Sequence, residues 1–527
     1  MRRKRKQRPI VGLAVLALVA LAAVYAGFEW FGGGMKQQQA APGAAEIPAT
    51  GGAKQPGNAE EVPAEPDIPT EQADIVVFGS ELEGLYLARA AADEGLKVKV
   101  LDTREAFGGQ VLQGEMLFLD ETRDEQRRLL VQGRAKELFD GFRGGKIRKL
   151  SEFEQYFEKL IKDIPVEQGV KLESVEQVQG QFAAHEARSV VYTGKDGVKK
   201  RIEAQYWVEN TDHAAFVRHL EATRMPGLEA FYGQQNIEYM SAGYMMKFKN
   251  VNWKKFQENH KGVDNSFALG LTSVTNKYKP GNDRVFLRGL NAVNQRDGEV
   301  LINAFLIYTV DPADDQSIAE ALELGKQEMP AVLDVFRKNF AGWENAELNG
   351  YPNYLYIREY NHYETDYVLK PSDMLGARMF WDNVSIAGYP LDLQGTSANK
   401  WGIEMGRPDK YGMPLRSFLL KNYDNVIMAG KNVGASAIAY GSARIQPNTS
   451  LAAESIGVIL GQIEGQKKLR QLKEADMPAL HQYLESKYNI KLTGVTGNNK
   501  IADWTAEEIA KLDTGEIVYA QYAHKRK

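Results

Sequence analysis

The sequence predicts an α/β fold: a parallel sheet covered on both faces, interrupted by an inserted α+β block. Three observations lead there. From Ala73 to Asp102 the chain runs as apolar strand, glycine turn, amphipathic helix, second apolar strand and acid, the order of a βαβ unit. Far downstream, Val426-Ile427-Met428-Ala429-Gly430 is again a short apolar strand closed by a glycine turn, ahead of an Ala/Gly-rich helix. Between them, from about 227 to 352, the chain changes to aromatic and β-branched strands of another character. A length of 527 residues holds about three domain-sized units, and 43% hydrophobic with 25% charged residues is ordinary globular composition.

Composition removes several function classes. Lys and Arg number 65 against 69 Asp and Glu, a formal charge of −4. No cationic excess exists to neutralise phosphates, so no nucleic-acid partner is expected. The absence of cysteine excludes disulfides, Fe–S clusters, Cys-ligated zinc and thiol–disulfide chemistry. The histidines show no metal-ligand spacing, so no metal is expected.

Residues 1–9 are a basic segment carrying Arg2, Arg3, Lys4, Arg5, Lys6 and Arg8. Ile10 to Phe28 follows without one charge. As a helix it would span about 28 Å, close to the hydrocarbon thickness of a bilayer. Residues 10–31 are therefore read as a single-pass transmembrane signal anchor. The basic segment stays cytoplasmic and the body lies outside the cell membrane. Small residues around Val24-Tyr25-Ala26 keep a cleaved signal peptide, and hence a secreted protein, as the alternative. Residues 32–72 are rich in Ala, Pro, Gly, Gln and Glu. They carry too little apolar surface to offset chain entropy and read as a disordered linker.

Residues 73–226 open with the strand Ala73 to Phe78. The turn Gly79-Ser80-Glu81-Leu82-Glu83-Gly84, a helix over Leu85 to Glu94 and a strand over Lys97 to Leu101 follow. Gly79 permits the tight turn, and Gly84 lets the helix lie close to the sheet. The helix start offers N–H groups and a dipole to a pyrophosphate. Asp102, followed by Thr103, stands at the distance that suits hydrogen bonds from a ribose. Glu81 departs from this fingerprint: an acid stands where the second glycine lets a phosphate approach, and it should repel it. A plain βαβ unit without nucleotide is the bland alternative on these residues alone.

Further segments carry a resemblance. Ala106-Phe107-Gly108-Gly109-Gln110 resembles the Gly-Gly turn of flavoproteins beside the FAD phosphates. Tyr423 to Lys431 resembles the second FAD strand of glutathione-reductase-like flavoproteins, whose Ala429-Gly430-Lys431 turn meets the cofactor. Gly441 to Leu451 leads into the helix that faces the flavin in that fold, with Gln446, Ser450 and Leu451 at its start. Together with Leu355 to Glu359 and Tyr411 to Leu419, these segments resemble the bacterial FAD-dependent oxidoreductases related to fumarate-reductase-type flavoproteins, from about Ala73 to Lys468. The resemblance implies an FAD-binding Rossmann-like domain of glutathione-reductase type in two parts, 73–226 and 353–468. It further implies an inserted substrate domain over 227–352. It places Val178 against the adenine, and Thr211 and Asp212 in the turn that closes over the dinucleotide, with Asp212 where the family has glycine.

Strands are expected over Val170 to Val178, Ser189 to Thr193 and Arg201 to Val208, with a hairpin turn at Lys195-Asp196-Gly197. In the insert, Tyr239 to Phe248 and Val300 to Val310 read as strands and Ser317 to Phe340 as a helix. Residues 469–527 form a helical extension in which Thr505 to Glu508 has capping-box spacing.

No second glycine fingerprint for NAD(P)H appears, which argues against an NAD-linked dehydrogenase. Gly434-Ala435-Ser436-Ala437-Ile438 lacks the last glycine of a nucleophile elbow, which argues against a hydrolase. What remains is direct electron exchange between a small substrate and the flavin, then an electron acceptor. Arg358 is the candidate for a carboxylate or a flavin anion, Glu359 for orienting it, His362 for proton transfer and Arg444 for the flavin side. An Arg–Glu pair in so aromatic a stretch also reads as a structural ion pair. Glu81, Asp212 and Tyr360-Asn361-His362, where the family carries further arginines, keep open a non-catalytic binding or scaffold module.

Overall fold

The computed structural model describes residues 68–526. The basic segment 1–9, the expected anchor 10–31 and nearly all of the linker lie outside them. Among the described residues no helix is long and apolar enough to cross a membrane.

The central sheet has seven strands. They are β1 (Thr70–Phe78), β2 (Val98–Asp102), β3 (Val166–Gln168), β4 (Lys171–Gln179), β5 (His185–Thr193), β6 (Lys199–Glu209) and β19 (Val426–Met428), with strands numbered along the whole chain. Strands β3, β2, β1 and β6 are parallel neighbours in that order. The far edge of β6 is shared: its first half pairs antiparallel with β5, and its last three residues pair parallel with β19. One strand thus carries a β4–β5–β6 meander into the parallel sheet.

The sheet is buried on both faces, and strict alternation shows it. Ile75, Val77, Val100, Val208 and Ile427 point into one core. Val76, Phe78, Leu101, Trp207 and Met428 point into the other. The first core is covered by helices α1 (Leu82–Asp93) and α4 (Gln446–Ile463). In the second, Phe78 stacks on Phe216 at 4.5 Å.

Several boundaries differ from expectation, two of them around the glycine turn. Strand β1 begins at Thr70, inside the expected linker, where Thr70 pairs with Arg201 and Gln72 with Glu203. Helix α1 begins at Leu82 rather than Leu85, so half of the expected turn is helix.

The insert begins near β7 (Arg224–Met225) and holds a six-stranded antiparallel sheet. Its strands are β8 (Ala242–Lys249), β9 (Phe267–Gly270), β10 (Val285–Leu287), β11 (Leu290–Asn294), β12 (Val300–Ile307) and β13 (Glu347–Leu348). Helix α2 (Asp315–Asn339) lays Ile318, Ala321, Val332 and Phe336 on this sheet. Gly325 is obligatory there, because a Cβ would stand 2.3 Å from the Tyr244 ring. Short strands complete the return: β14 (His362–Tyr363) on β7, β15 (Asn383–Ala387) on β18 (Tyr411–Pro414), and β16 (Asp392–Leu393) on β17 (Ile403–Glu404). Helix α3 (Ala437–Ala443) precedes α4. The last residues form helices over Met477–Tyr488, Ala506–Thr514 and Tyr519–Arg526, with the Thr505–Glu508 capping box closed in both directions.

Candidate active site

The glycine turn sits where β1 meets α1. Gly79 holds φ +90°, a left-handed conformation that a side chain disfavours. Gly84 faces Asn210, and a Cβ there would stand 2.4 Å from the Asn210 amide. That amide donates to the Glu81 carbonyl at 3.0 Å. Asn210 is thus the clamp between the β6 end and the turn, a role without a local sequence signal.

Ser80 bridges three segments. Its N–H donates to Asp102 Oδ2 at 3.0 Å, its hydroxyl donates to the same oxygen, and Gly108 N–H donates to Ser80 Oγ at 2.7 Å. Asp102 Oδ1 accepts from Arg104 N–H at 2.9 Å. The expected ribose acceptor is thus already engaged by the chain. Burial raises its pKa against the pull of Ser80 and Arg104. Gly108 and Gly109 both hold positive φ.

Glu81 is buried. Its Oε1 accepts from Gln110 N–H at 3.0 Å, while Oε2 has no partner. A Cβ at Gly109 would stand 2.2 Å from Oε1. Burial drives the carboxyl up to about 8, with Lys431 opposing and Asp212 and Glu83 reinforcing. Burial thus favours the neutral form, which weakens the repulsion of a phosphate expected of an ionised acid. Glu83, also raised by burial, accepts from Thr449 Oγ1 at 3.1 Å. Leu82 and Leu451 are sealed core side chains.

Asp212 behaves oppositely. Burial pushes it up, but Arg104, His213 and Lys431 outweigh that and hold it well below the usual carboxylate range. Oδ1 meets Arg104 at 3.1 Å and His213 at 3.0 Å, and Oδ2 accepts from Tyr354 at 2.8 Å. Thr103 Oγ1 lies 3.2 Å from His213 Nε2. Thr211 donates through N–H and hydroxyl to Glu209 Oε1. After β19, Gly430 holds φ +59°. Lys431 donates to Gln110 Oε1 at 2.9 Å and to Ile357 O at 2.7 Å.

Beyond Asp102 lies a cleft of about 730 Å³ lined by Thr103, Arg104, Val170, Leu172, His213 and Ala215, among others. Val178 lies on β4 paired with Glu186, outside that lining. Val170, which lines the cleft, donates its N–H to Asp102 O at 3.0 Å, and Gly169 N–H donates to Arg104 O at 2.9 Å. At the other end, three buried polar atoms have no partner: Gln446 Nε2, Ser450 Oγ and Arg444 Nε. Gln446 and Ser450 lie in the first turns of α4, and Arg444 two residues before it. An open cleft beyond Asp102 and orphaned polar atoms at the α4 start suit the two ends of a long dinucleotide.

Substrate-side groups converge on Tyr356. Backbone bonds of 2.9 Å in both directions join Tyr356 to Gly243 on β8. The Arg358 guanidinium lies 4.3 Å from the Tyr356 ring centre, and Arg444 donates to the Tyr356 hydroxyl at 3.3 Å. Arg358 is 2% exposed. It donates to two neutral oxygens, Ser241 O at 2.7 Å and Asn303 Oδ1 at 3.3 Å. Burial, with Arg288 and Arg444 nearby, pushes its pKa down to about 10. Arg288 comes from the insert and donates to Gln394, which donates to Asp392. Asp120 stands among Arg288, Asp392, Arg444 and Arg358, raised by burial. Asp392 and Tyr389 line an outer cleft of about 400 Å³. Nothing local in the sequence marks Arg288 or Asp120, whereas Tyr356 lies in the Leu355 to Glu359 segment.

Glu359 and His362 are brought together but not into either cleft. Glu359 Oε1 lies 2.6 Å from His362 Nε2, and Oε2 accepts from Met240 N–H at 2.7 Å. The His362 ring meets Tyr440 edge-on at 4.4 Å, and the Tyr440 hydroxyl donates to Arg358 O at 3.0 Å. Glu359 is thus bonded to His362 and not to its neighbour Arg358. Among the described residues, no group of three His, Asp or Glu is arranged to hold a metal.

Comparisons with known proteins bear on this arrangement. A curated relative, thiamine thiazole synthase of Archaeoglobus fulgidus, is 37% identical over 71 residues, 14% of this chain. The match spans about a quarter of that relative's length (24%). Similar solved structures include p-nitrophenol 4-monooxygenase from Pseudomonas putida DLL-E4, with 11% identity, TM-score 0.36, and coverage of 86% of this chain and 94% of that one. A geranylgeranyl bacteriochlorophyll reductase-like protein from Thermoplasma acidophilum also has 11% identity, with TM-score 0.35, 86% of this chain and all of that one. The FAD dependent oxidoreductase family matches residues 74–484, most of the chain. The protein belongs to the FAD dependent oxidoreductase family, and it is an oxidoreductase enzyme whose cofactor is FAD.

Proposed function

We propose that this flavoenzyme oxidises or reduces a small anionic substrate, of carboxylate type, held on Arg358 and Arg444. The observation that carries this is the buried Arg358 guanidinium bonded to neutral oxygens only, crowded by Arg288 and Arg444. A buried cation without a bonded anion is costly, and a substrate carboxylate supplies the missing charge in bidentate form. When bound, FAD supplies the redox chemistry by taking up or giving out the reducing equivalents.

The protein's own part is binding, orientation and charge. The adenosine end belongs in the cleft lined by Thr103, Val170 and Ala215, and Lys431 serves the diphosphate. Gln446 and Ser450, whose polar atoms lack partners, serve the flavin end. Tyr356 spaces the two guanidinia, while Asp120 and Asp392 keep the cluster from full mutual repulsion. Tyr389 and Asp392 form the outer mouth. His362 acts through Tyr440, which fixes the Arg358 backbone, and is a positioning residue.

The charge-free run Ile10 to Phe28 behind a basic segment supports a body tethered outside the cytoplasm, with cleavage near Ala26 as the other route. Protease shaving of intact cells tests this: cytoplasmic protection of the body overturns it. The substrate class is tested by anaerobic addition of small mono- and dicarboxylates, and of their neutral amides, to the purified holoenzyme. Carboxylates should perturb or bleach the flavin absorbance, or restore it after photoreduction. A response to the amides equal to that of the acids overturns the anionic reading.

A further inference from the structure

We propose that Glu81 is a cofactor-binding residue that meets the FAD diphosphate as a neutral carboxyl, its retained proton on Oε2 donated to a phosphate oxygen. The inference rests on the FAD reading and deepens it. Geometry comes first. Glu81 closes the turn before α1, with extended backbone (φ −68°, ψ 152°) and no side-chain cap bond to its own helix. The side chain instead crosses to the Gly108–Gly109 turn. Oε1 accepts from Gln110 N–H, and Gly109 leaves room for no other atom on that side. The Asn210 amide fixes the Glu81 carbonyl and with it the direction of the side chain. Oε2 is buried and has no partner.

That unpartnered oxygen is the informative atom. A buried carboxylate oxygen with nothing to accept from carries a full desolvation cost. A protonated carboxyl converts the same atom into a donor. The carboxyl sits between the β1–α1 glycine turn and the Gly108–Gly109 turn, and an anionic diphosphate at these turns is the recipient that suits a donor there.

The surrounding charges agree. From α1, Glu83 adds a second buried acid; from the segment after β6, Asp212 adds a third, paired with Arg104. From the turn after β19, Lys431 opposes them, its ammonium shared between Gln110 Oε1 and Ile357 O. Beyond Asp212 stand His213 and Tyr354. Ionising Glu81 would set three carboxylates beside a diphosphate with one lysine and one arginine to balance them. Burial holds it up to about 8 in the free protein, and two phosphate charges raise it further. FAD binding therefore takes up a proton above that pH.

The experiment uses full-length apoprotein in detergent, with FAD affinity read by flavin fluorescence between pH 6.5 and 9.5. The wild type should bind evenly up to about pH 8, then weaken about tenfold per pH unit, the slope for one proton taken up. Glu81→Gln keeps a donor and an acceptor without ionising. It should bind within about threefold of wild type at pH 7 and stay flat to pH 9.5. Glu81→Ala should weaken binding at every pH. Equal pH profiles for wild type and Glu81→Gln overturn the proposal, as does tighter binding by Glu81→Ala, which would make Glu81 an obstruction. Should the variants fail to fold, calorimetry of the wild type at pH 8.5 in two buffers of different ionisation enthalpy decides. Proton uptake supports the proposal, and its absence overturns it. No FAD binding at any pH would instead sink the cofactor reading itself.

Discussion

The guanidinium of Arg358 lies 4.3 Å from the ring centre of Tyr356, whose hydroxyl accepts from Arg444 at 3.3 Å. One aromatic ring thus separates two buried cations, and Arg358 bonds to no carboxylate. A structural ion pair would cost about 3–5 kcal/mol on losing one partner. Arg358→Met instead removes a charge that has no bonded carboxylate and keeps the volume. It should change stability by no more than about 1 kcal/mol while the response of the flavin to carboxylates falls at least tenfold. Urea unfolding and anaerobic flavin titration check the two halves. A loss of several kcal/mol would return Arg358 to a structural role.

Asp212 carries the opposite expectation. Its folded pKa lies below the unfolded value, because Arg104 and His213 outweigh burial. Its contribution is therefore complete above pH 4 and lost as pH falls through the folded value. Asp212→Asn should leave Arg104 short of its partner and cost about 2 kcal/mol at pH 7, less than a sealed pair, since Arg104 is partly exposed. The difference from wild type should shrink towards pH 3. A constant difference across pH 3–7, measured by urea midpoints, would contradict this.

Glu454 titrates with the other sign. Its Oε2 accepts from Arg134 N–H at 2.7 Å, yet burial raises it to about 7 from an unfolded value of 4.5. The folded state keeps a proton that the unfolded state releases. The Glu454 contribution is thus complete below about pH 4.5 and declines by about 3 kcal/mol as pH rises to 7. Glu454→Gln should flatten that decline. Glu81 adds a slope of the same sign that reaches further, to about 8, so the variant should retain the upper part. An unchanged profile in Glu454→Gln would refute the assignment.

These titrations show which parts of the site were legible from sequence. The strand, turn and helix order was, because Ile75, Val76, Val77 and Phe78 fill both cores and Gly79 and Gly84 are sterically required. The start of β1 was not: Thr70, Glu71 and Gln72 are exposed and join the sheet through backbone pairing, with the Glu71–Lys99 ion pair beside it. Val170 lines the cleft because Gly169 and Val170 bond back to Arg104 O and Asp102 O, and that crossing has no local pattern. Arg358 and Arg444 could be named from their motifs. Their partner Arg288 arrives from the insert, and only tertiary structure brings it there. The burial of Glu81 was not legible for the same reason, since Gly109, Gln110, Asn210 and Lys431 reach it from separate segments.

The contact between α1 and α4 yields the last prediction. Gly457 in α4 packs against α1 so closely that a Cβ would stand 2.5 Å from Leu87 O and 2.9 Å from Ala90 Cβ. Gly461, one turn on, would meet Glu94 Cβ at 2.2 Å. Backbone atoms of a helix cannot turn aside as a side-chain end can, so Gly457→Ala must push the helices apart. Alanine gains about 1 kcal/mol in helix propensity, but overpacking should outweigh it and leave a net loss of about 1–2 kcal/mol. The same displacement moves the start of α4, with Gln446 and Ser450, away from the Glu81 turn that opens α1. FAD affinity should therefore fall together with the urea midpoint. A stabilised variant, or one that loses stability while holding FAD as tightly as wild type, would show that the two helix starts do not share one ligand.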